Sequence, residues 1–281
     1  MIGRLYVVAT PLGNLEDLSP RAVETLREFA LIACEDTRRT GALLRVHGIR
    51  TPTTSFFEHN ERDKGDEVLD LIEQGKDVAL VSDAGTPCIS DPGYRLVRDA
   101  RERGIGVIPI PGPSAVITAL SVSGLPTDRF LFVGFLPARP KERLAALREL
   151  SVQRATLVFY ESPLRALATL GDLLTVFGDR EAFLCREATK LHEEYVKGSL
   201  SSLRQQVAAR SRLRGEVVLV VAGAAERAAS VQDDADLEGS FARLQAEGRT
   251  RREAVKELAR RLGLPSREIY SKLLAARGDR A

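Results

Sequence analysis

The chain has 281 residues, 44% of them hydrophobic and 28% charged, with a formal net charge of +2 and no tryptophan. That length exceeds the ~100–150 residues of a common single domain, so more than one globular unit is expected, and the composition excludes a wholly disordered chain. No run approaches the roughly 20 apolar residues of a membrane helix, and Met1 leads into an apolar strand rather than a charged leader, so a cytoplasmic protein with no membrane partner is expected.

In chain order, residues 5–9, 31–34, 78–82 and 106–110 are short aliphatic runs, which predicts strands buried on both faces as in a parallel sheet. Between them Ser19-Pro20 reads as a helix N-cap and first residue, and Gly48, Gly75 and Gly104 stand where helices stop. A second series has predicted strands at 130–134, 156–160, 182–186, 195–197 and 216–222 and helices near 141–150, 163–177 and 200–210. The short spacing around 182–197 points to some antiparallel pairing. The expected organisation is an α/β lobe over 1–112, a second α/β lobe over 113–224 and a linker over 225–238. A helix-turn-helix-like unit then fills 239–281.

Residues 249–281 hold ten Lys/Arg against four Asp/Glu, a local charge of +6, which leaves −4 for residues 1–248. A basic end on a mildly acidic body directs long-range attraction for a polyanion to that end. There Thr250 and Glu253 have capping-box spacing, and Val255, Leu258, Ala259 and Leu262 form a helical stripe that Gly263 closes. Pro265-Ser266 opens another helix, whose Ile269, Tyr270, Leu273 and Leu274 can pack back on the first.

Two loops sit at carboxyl ends of predicted strands, Thr10-Pro11-Leu12-Gly13-Asn14 and the segment from Ser82 to Gly93 with sequence SDAGTPCISDPG. Open α/β sheets bind ligands at such edges, where small residues let a ligand reach backbone N–H groups. Asp83 and Asp91 are candidate polar anchors. Neither a G-x-G-x-x-G fingerprint nor a GxxxxGK[ST] loop is present, which removes the main support for nicotinamide or nucleoside-triphosphate chemistry. Cys34, Cys88 and Cys185 are widely spaced and read as small buried hydrophobes. With His47, His59 and His192 they make no metal-ligand spacing, so no metal is expected.

The strings ATPLGNLEDLSPRA, ACEDTRRTGALL, EHNE, VSDAGTPCISDPG, IPGPSAVITALSVSGLP, FVGFLP, FYESPLR, CREATKLHEE and GEVVLVVAG occur in that order and span nearly the whole chain. In them the sequence resembles the bacterial 16S ribosomal RNA cytidine 2′-O-methyltransferases of the tetrapyrrole methylase superfamily. The resemblance implies a two-lobed class III S-adenosylmethionine (SAM) methyltransferase fold with a C-terminal helix-turn-helix-like unit. It also implies a homodimer, SAM as co-substrate without metal, and as target the cytidine ribose numbered 1402 in 16S rRNA of the small ribosomal subunit.

Carried over position by position, the resemblance implies donor contacts from Pro11, Leu12 and Gly13, from Asp83, Gly85, Thr86 and Ile89, and from Ser114 and Ala115. Tyr160 and Glu161 are weaker candidates. A ribose hydroxyl is a poor nucleophile and gains from a base. Asp36 or Glu58 is the expected group, with Glu35, His59 and Lys190 as further candidates, although Glu35 and Asp36 could simply pair with Arg38 and Arg39. RNA contacts are expected from Arg38 and Arg39 and from Arg251, Arg252, Arg260, Arg261, Arg267 and Lys272 of the basic unit, alongside Arg249 and Lys256. The competing readings are a tetrapyrrole C-methyltransferase with the same donor site and a ligand-sensing nucleic-acid-binding regulator. The basic C-terminal unit disfavours the first, and the helix-turn-helix pattern is the only feature that suggests the second.

Overall fold

A computed structural model describes residues 2–225, 231–262 and 264–278, and the chain divides into two compact units, Met1–Ala224 and Ala225–Ala281. The first unit starts with β1 (Arg4–Val8), α1 (Pro20–Glu28), β2 (Leu31–Cys34), α2 (Thr37–Val46), β3 (Thr53–Ser55), α3 (Glu61–Glu73), β4 (Val78–Val81), α4 (Tyr94–Glu102) and β5 (Gly106–Ile110). Its five strands form one parallel sheet in the order β3-β2-β4-β1-β5. The reversal of direction beside β4 and β1 leaves a crevice at their carboxyl ends.

Side chains alternate across a strand, so a strand covered on both sides needs apolar residues throughout. In β4, Val78 and Leu80 enter one core with Leu5, Leu69, Ile72 and Leu96, while Ala79 and Val81 enter the opposite core with Leu26, Ile32 and Ile110. Burying each Leu or Ile contributes roughly 1.5–3 kcal/mol. The α1 start follows the sequence, since Ser19 Oγ accepts the Ala22 N–H at 3.1 Å and Pro20 opens the helix. Gly48, Gly75 and Gly104 all have positive φ just beyond α2, α3 and α4. β3 is absent from the sequence expectation because Thr53-Thr54-Ser55 carries no aliphatic run, and only its pairing with β2 makes it a strand.

The second sheet follows α5 (Ala115–Val122). It is built from β6 (Phe130–Phe135), α6 (Pro140–Leu150), β7 (Thr156–Glu161), α7 (Ala166–Phe177), β8 (Glu181–Arg186), β9 (Glu194–Ser199), α8 (Leu200–Ala208) and β10 (Val217–Val221). Strand order is β6-β7-β10-β8-β9, parallel only between β6 and β7. The expected antiparallel pairing is present as β8 against β9. β10 lies between two antiparallel neighbours and is buried along its whole length, with Val217, Leu219 and Val221 in one core and Val218 and Val220 in the other.

Among the described residues the C-terminal unit holds three helices, α9 (Val231–Ala246), α10 (Arg251–Leu262) and α11 (Ser266–Gly278). Two were expected, and the expected linker over 225–238 is corrected at its far end, where α9 begins at Val231. Its Leu237, Phe241 and Leu244 lie at i, i+4 and i+7 and join Val255, Leu258, Ala259, Ile269 and Leu273 in one core. The capping box forms reciprocally: the Thr250 N–H donates to Glu253 Oε2 at 2.9 Å and the Glu253 N–H to Thr250 Oγ1 at 3.4 Å. Tyr270 and Leu274, expected to pack inward, are instead exposed. Gly263, read as the end of α10, lies outside the described residues, as do residues 226–230 of the expected linker.

Candidate active site

The loops after β1 and β4 are tied together before they form any cavity wall. Thr10 and Gly85 exchange two backbone hydrogen bonds, 2.9 and 3.0 Å, and Thr10 Oγ1 donates to the Ser82 carbonyl at 3.0 Å. Gly85 has φ of +82°, a region costly for other residues, and a Cβ there would press within 3.2 Å of Leu12. Thr86 Oγ1 donates to the Pro113 carbonyl at 3.0 Å, fixing the second loop to the segment that enters α5. At the far end of the loop Glu61 of α3 accepts the Gly93 N–H at 3.0 Å. Cys88 and Ser90, neither of them glycine, are held at positive φ between these anchors.

These loops and the second sheet enclose a cavity of about 380 Å³, within the roughly 300–1,000 Å³ of small-molecule sites. Of the expected donor contacts, Leu12, Asp83, Gly85, Thr86, Ile89, Ser114, Ala115 and Tyr160 line it, and Glu161 does too. Pro11 and Gly13 flank Leu12 without lining it, and Gly13 packs against Lys190, so that a Cβ there would strike the lysine stem. The Lys190 ammonium is bound by Glu187 at 2.8 Å and Glu216 at 3.2 Å, which makes it a brace under the first loop.

The carboxylates around the cavity differ in state. Asp36 is outside it and caps α2, accepting the Arg38 N–H at 2.8 Å and the Arg38 guanidinium at 2.9 Å. The hydrogen bonds from Arg38 pull its pKa down to about 2, which suits a helix cap and makes it a weak proton acceptor. Glu35 lines the cavity and is pushed up by burial and by the charge of Asp83, with Arg39 opposing. Asp83 is held by the Asp36 N–H at 3.0 Å and by Arg39 at 3.3 Å. Asp91 is raised to about 6 by burial, opposed by the neighbouring Ser82 hydroxyl and reinforced by Glu35 and Asp83. Tyr160 is pushed up to about 12 by burial and the charge of Asp91, so its phenol stays protonated. Its ring meets Phe132 and Phe135 edge-on, with centroids 4.9 and 5.6 Å away.

Glu58 and His59 lie outside this cavity, on a second cleft that shares Ser90 and Asp91 with it. The other half of their EHNE string is structural, because Asn60 accepts the Phe57 N–H and Glu61 anchors Gly93. Sequence reasoning passed over Ser162, Gly215 and Glu216 as lining residues, and Phe135 drew notice only as part of FVGFLP. Gly215-Glu216 could have been found as the turn into a fully apolar strand, the same kind of signal that marked the first two loops.

In the C-terminal unit Arg251, Arg252 and Arg267 line one cleft with Lys256, Ser266 and Tyr270, and the Arg251 guanidinium lies 5.2 Å over the Tyr270 ring. Arg260 instead pairs with Glu257 at 2.9 Å. Lys272 is half-buried on α11, and the Arg261 side chain lies outside the described residues. Arg38 and Arg39 are largely exposed, each engaged with an aspartate. Among the described residues no helix is long and apolar enough to cross a membrane.

Comparison with known proteins places this architecture. Residues 4–204 match the family Tetrapyrrole (Corrin/Porphyrin) Methylases. Among solved structures the fold is similar to uroporphyrin-III-C-methyltransferase from Thermus thermophilus (TM-score 0.56, 21% identity, 78% of this chain and 94% of that one). It is likewise similar to the cobalt precorrin-4 methyltransferase CbiF (TM-score 0.57, 15% identity, 77% and 94%). Far closer in sequence is "Ribosomal RNA small subunit methyltransferase I" of Halalkalibacterium halodurans, 46% identical over 96% of this chain and 94% of the relative. The protein of the same name from Synechocystis sp. is 44% identical over 99% and 100%. The chain therefore belongs to the tetrapyrrole methylases and, within them, to the ribosomal RNA small subunit methyltransferase I family.

Proposed function

We propose that this methyltransferase moves the methyl group of SAM to the ribose 2′-oxygen of a cytidine in 16S rRNA, the one numbered 1402 by resemblance, within the small ribosomal subunit. The observation that carries the reading is the cavity between the two sheets. Its wall combines a glycine at positive φ, the start of α5 and carboxylates at the edge of a parallel sheet.

The donor set fits SAM. Ser114 makes no side-chain cap at α5, so the first N–H groups of that helix remain to hold a carboxylate. Asp83, Glu35 and Asp91 give the same cavity an acidic side suited to a cationic ligand. Leu12, Ile89 and Phe135 supply apolar surface, and Gly85 lets a ligand approach the backbone. SAM contributes an activated methyl on a sulfonium leaving group, and what is left to the protein is to bind, orient and dry the reactants. The tied loops fix the floor of the cavity before any ligand arrives, and the Tyr160, Phe132 and Phe135 cluster keeps one wall apolar.

The basic C-terminal unit would supply phosphate contacts through Arg251, Arg252, Lys256 and Arg267, positioning RNA without reading its sequence. The resemblance also brings a homodimer, no metal requirement and a cytoplasmic setting, the first testable by light scattering. The deciding experiment incubates purified protein, tritiated SAM and small ribosomal subunits from a strain lacking the gene, then maps the product by mass spectrometry. One new ribose methyl is expected. Label on a base, or none on RNA, overturns the proposal.

A further inference from the structure

The N-terminal halves of α10 and α11 bound a cleft of about 460 Å³ in the C-terminal unit. Arg251, Arg252 and Lys256 line it from α10, Arg267 and Tyr270 from α11, and Val255 from the side of the core. The four cations are exposed and make no ion pair among the described residues. The acids of α10 are committed elsewhere, Glu253 to the Thr250 cap and Glu257 to Arg260.

Tyr270 departs from the apolar stripe of its helix. Ile269 and Leu273 are buried, whereas Tyr270 stays 44% exposed on the cleft. A ring left in water forgoes the stabilisation that a core place would give. The Arg251 guanidinium lies 5.2 Å over it, so the cleft presents two planar groups, an aromatic ring and a guanidinium, among unpaired positive charges.

We propose that this cleft is a stacking site for an unpaired nucleotide of RNA, with the base against Tyr270 beside the Arg251 plane and the flanking phosphates held by Arg252, Lys256 and Arg267. This rests on the rRNA-methylation reading above and names the form of RNA that the basic unit takes. Inorganic phosphate or an acidic peptide would use the cations and leave the ring idle, whereas a nucleotide uses both. A base inside a duplex is stacked between its neighbours and offers only its edge, so the ring can be covered only by a base that has left the stack. The helix-turn-helix-like pairing of α10 and α11 by itself points the other way, to a helix laid in a duplex groove. A tyrosine with a guanidinium over it suits the face of a base better than its edge. Such stacking accepts any base, in keeping with phosphate contacts that position RNA without reading its sequence.

The test uses the full-length protein and a short RNA carrying a fluorescent base analogue whose emission falls on stacking, offered as a single strand and as the duplex with its complement. Wild type should bind the single strand more tightly and quench the analogue. Tyr270→Ala should weaken single-strand binding by about tenfold and abolish the quench, while Tyr270→Phe keeps both at the wild-type level. Because the ring carries no charge, Tyr270→Ala should leave the slope of log affinity against log salt unchanged. Arg252→Ala and Lys256→Ala should each reduce that slope by about 0.7. Binding to the duplex as tight as to the single strand, wild-type affinity in Tyr270→Ala, or an equal loss in Tyr270→Phe overturns the proposal. So does displacement of the RNA by polyglutamate as readily as by an unlabelled strand, which would make the cleft a site for acidic peptides. Should Tyr270→Ala fail to fold, the strand preference, the quench and the Phe variant decide alone. The methyl-transfer reading fails on a different measurement, the absence of label from tritiated SAM on small subunits, and it stands if label appears while the duplex binds better.

Discussion

Asp91 and Glu161 face the same cavity from opposite sheets, and their surroundings differ in kind. Asp91, on a loop of the parallel sheet, has acids for neighbours and no ion pair among the described residues. Glu161, the last residue of β7, is fully buried and completely engaged: it accepts from the Ser162 N–H and the Thr169 hydroxyl, both at 2.6 Å, and from Arg165 at 2.8 Å. The same contrast separates Glu35 from Glu194 of β9, which Arg186 and Arg210 clamp from two sides. On the first sheet Asp36 and Asp83 are engaged by arginines while Asp91 and Glu35 have no ion pair among the described residues, whereas Glu161 and Glu194 of the second sheet serve as fasteners. The cavity between the two sheets therefore has one side with unpaired acids and one braced side.

The comparison is most exposed to failure at Glu161. Replacing it by Ala leaves Arg165 and Thr169 without their buried partner and should cost about 3–5 kcal/mol, seen as a lower denaturation midpoint. A loss under 1 kcal/mol would show that the second sheet is not braced as described. Next in size is Gly85→Ala, which forces an L-residue to φ of +82° against Leu12. It should cost about 1–2 kcal/mol and weaken SAM binding measured by calorimetry.

Glu194→Gln should cost about 1 kcal/mol at pH 7, a figure kept low because solvent reaches the cluster. Arg210 foremost, then Arg186, lowers the Glu194 pKa to about 2, so this stabilisation is complete above the ordinary carboxylate range and is lost as pH falls toward 2. Wild type and variant should converge in acid melts. The smallest effect belongs to Asp91→Asn, and its sign is opposite. A carboxyl whose folded pKa is raised loses stability as pH climbs from about 4 to about 6. The variant should thus melt at or slightly above the wild-type temperature at pH 8 and match it below pH 4. A clear drop at pH 8 would mean that the charge of Asp91 is satisfied in the fold.

Much of the framework is legible in the residues. Continuous aliphatic runs at β2, β4 and β10 identify buried strands because both faces of each lie against cores, whereas β5, expected to be buried likewise, is an edge strand that leaves Gly106 and Pro109 exposed. Ser19-Pro20, the Thr250–Glu253 pair and the three post-helix glycines mark boundaries through local backbone chemistry alone. β3 escapes because a three-residue polar strand carries no local signal. α9 escapes in part because the Ala- and acid-rich stretch before it resembles a linker, and its apolar face acquires meaning only when α10 and α11 cover it.

The site is legible in its loops and not in its charges. The ATPLGN and SDAGTPCISDPG segments are visible as small-residue turns at strand ends, and both form the cavity wall. Which acid near them is capped, paired or left alone depends on how the fold sets neighbours as near in sequence as Arg38 to Asp36, 2 residues, and as far as the Asp36 N–H that holds Asp83, 47 residues. Asp36 and Glu58 look equally suitable beside their strands, yet one is bound by Arg38 and the other stands on the second cleft.

From the sequence alone came every strand along the chain but β3, the helix stops, the two cavity-lining loops, the basic end and the family they spell together, because each depends on local periodicity or on a contiguous string. The pairing of Thr10 with Gly85, the meeting of two clefts at Asp91 and the contrast between free and fastened carboxylates were settled only in three dimensions. Hydrogen bonding and the electrostatic fate of an ionisable group are set by distance through space, which a linear order of residues does not contain.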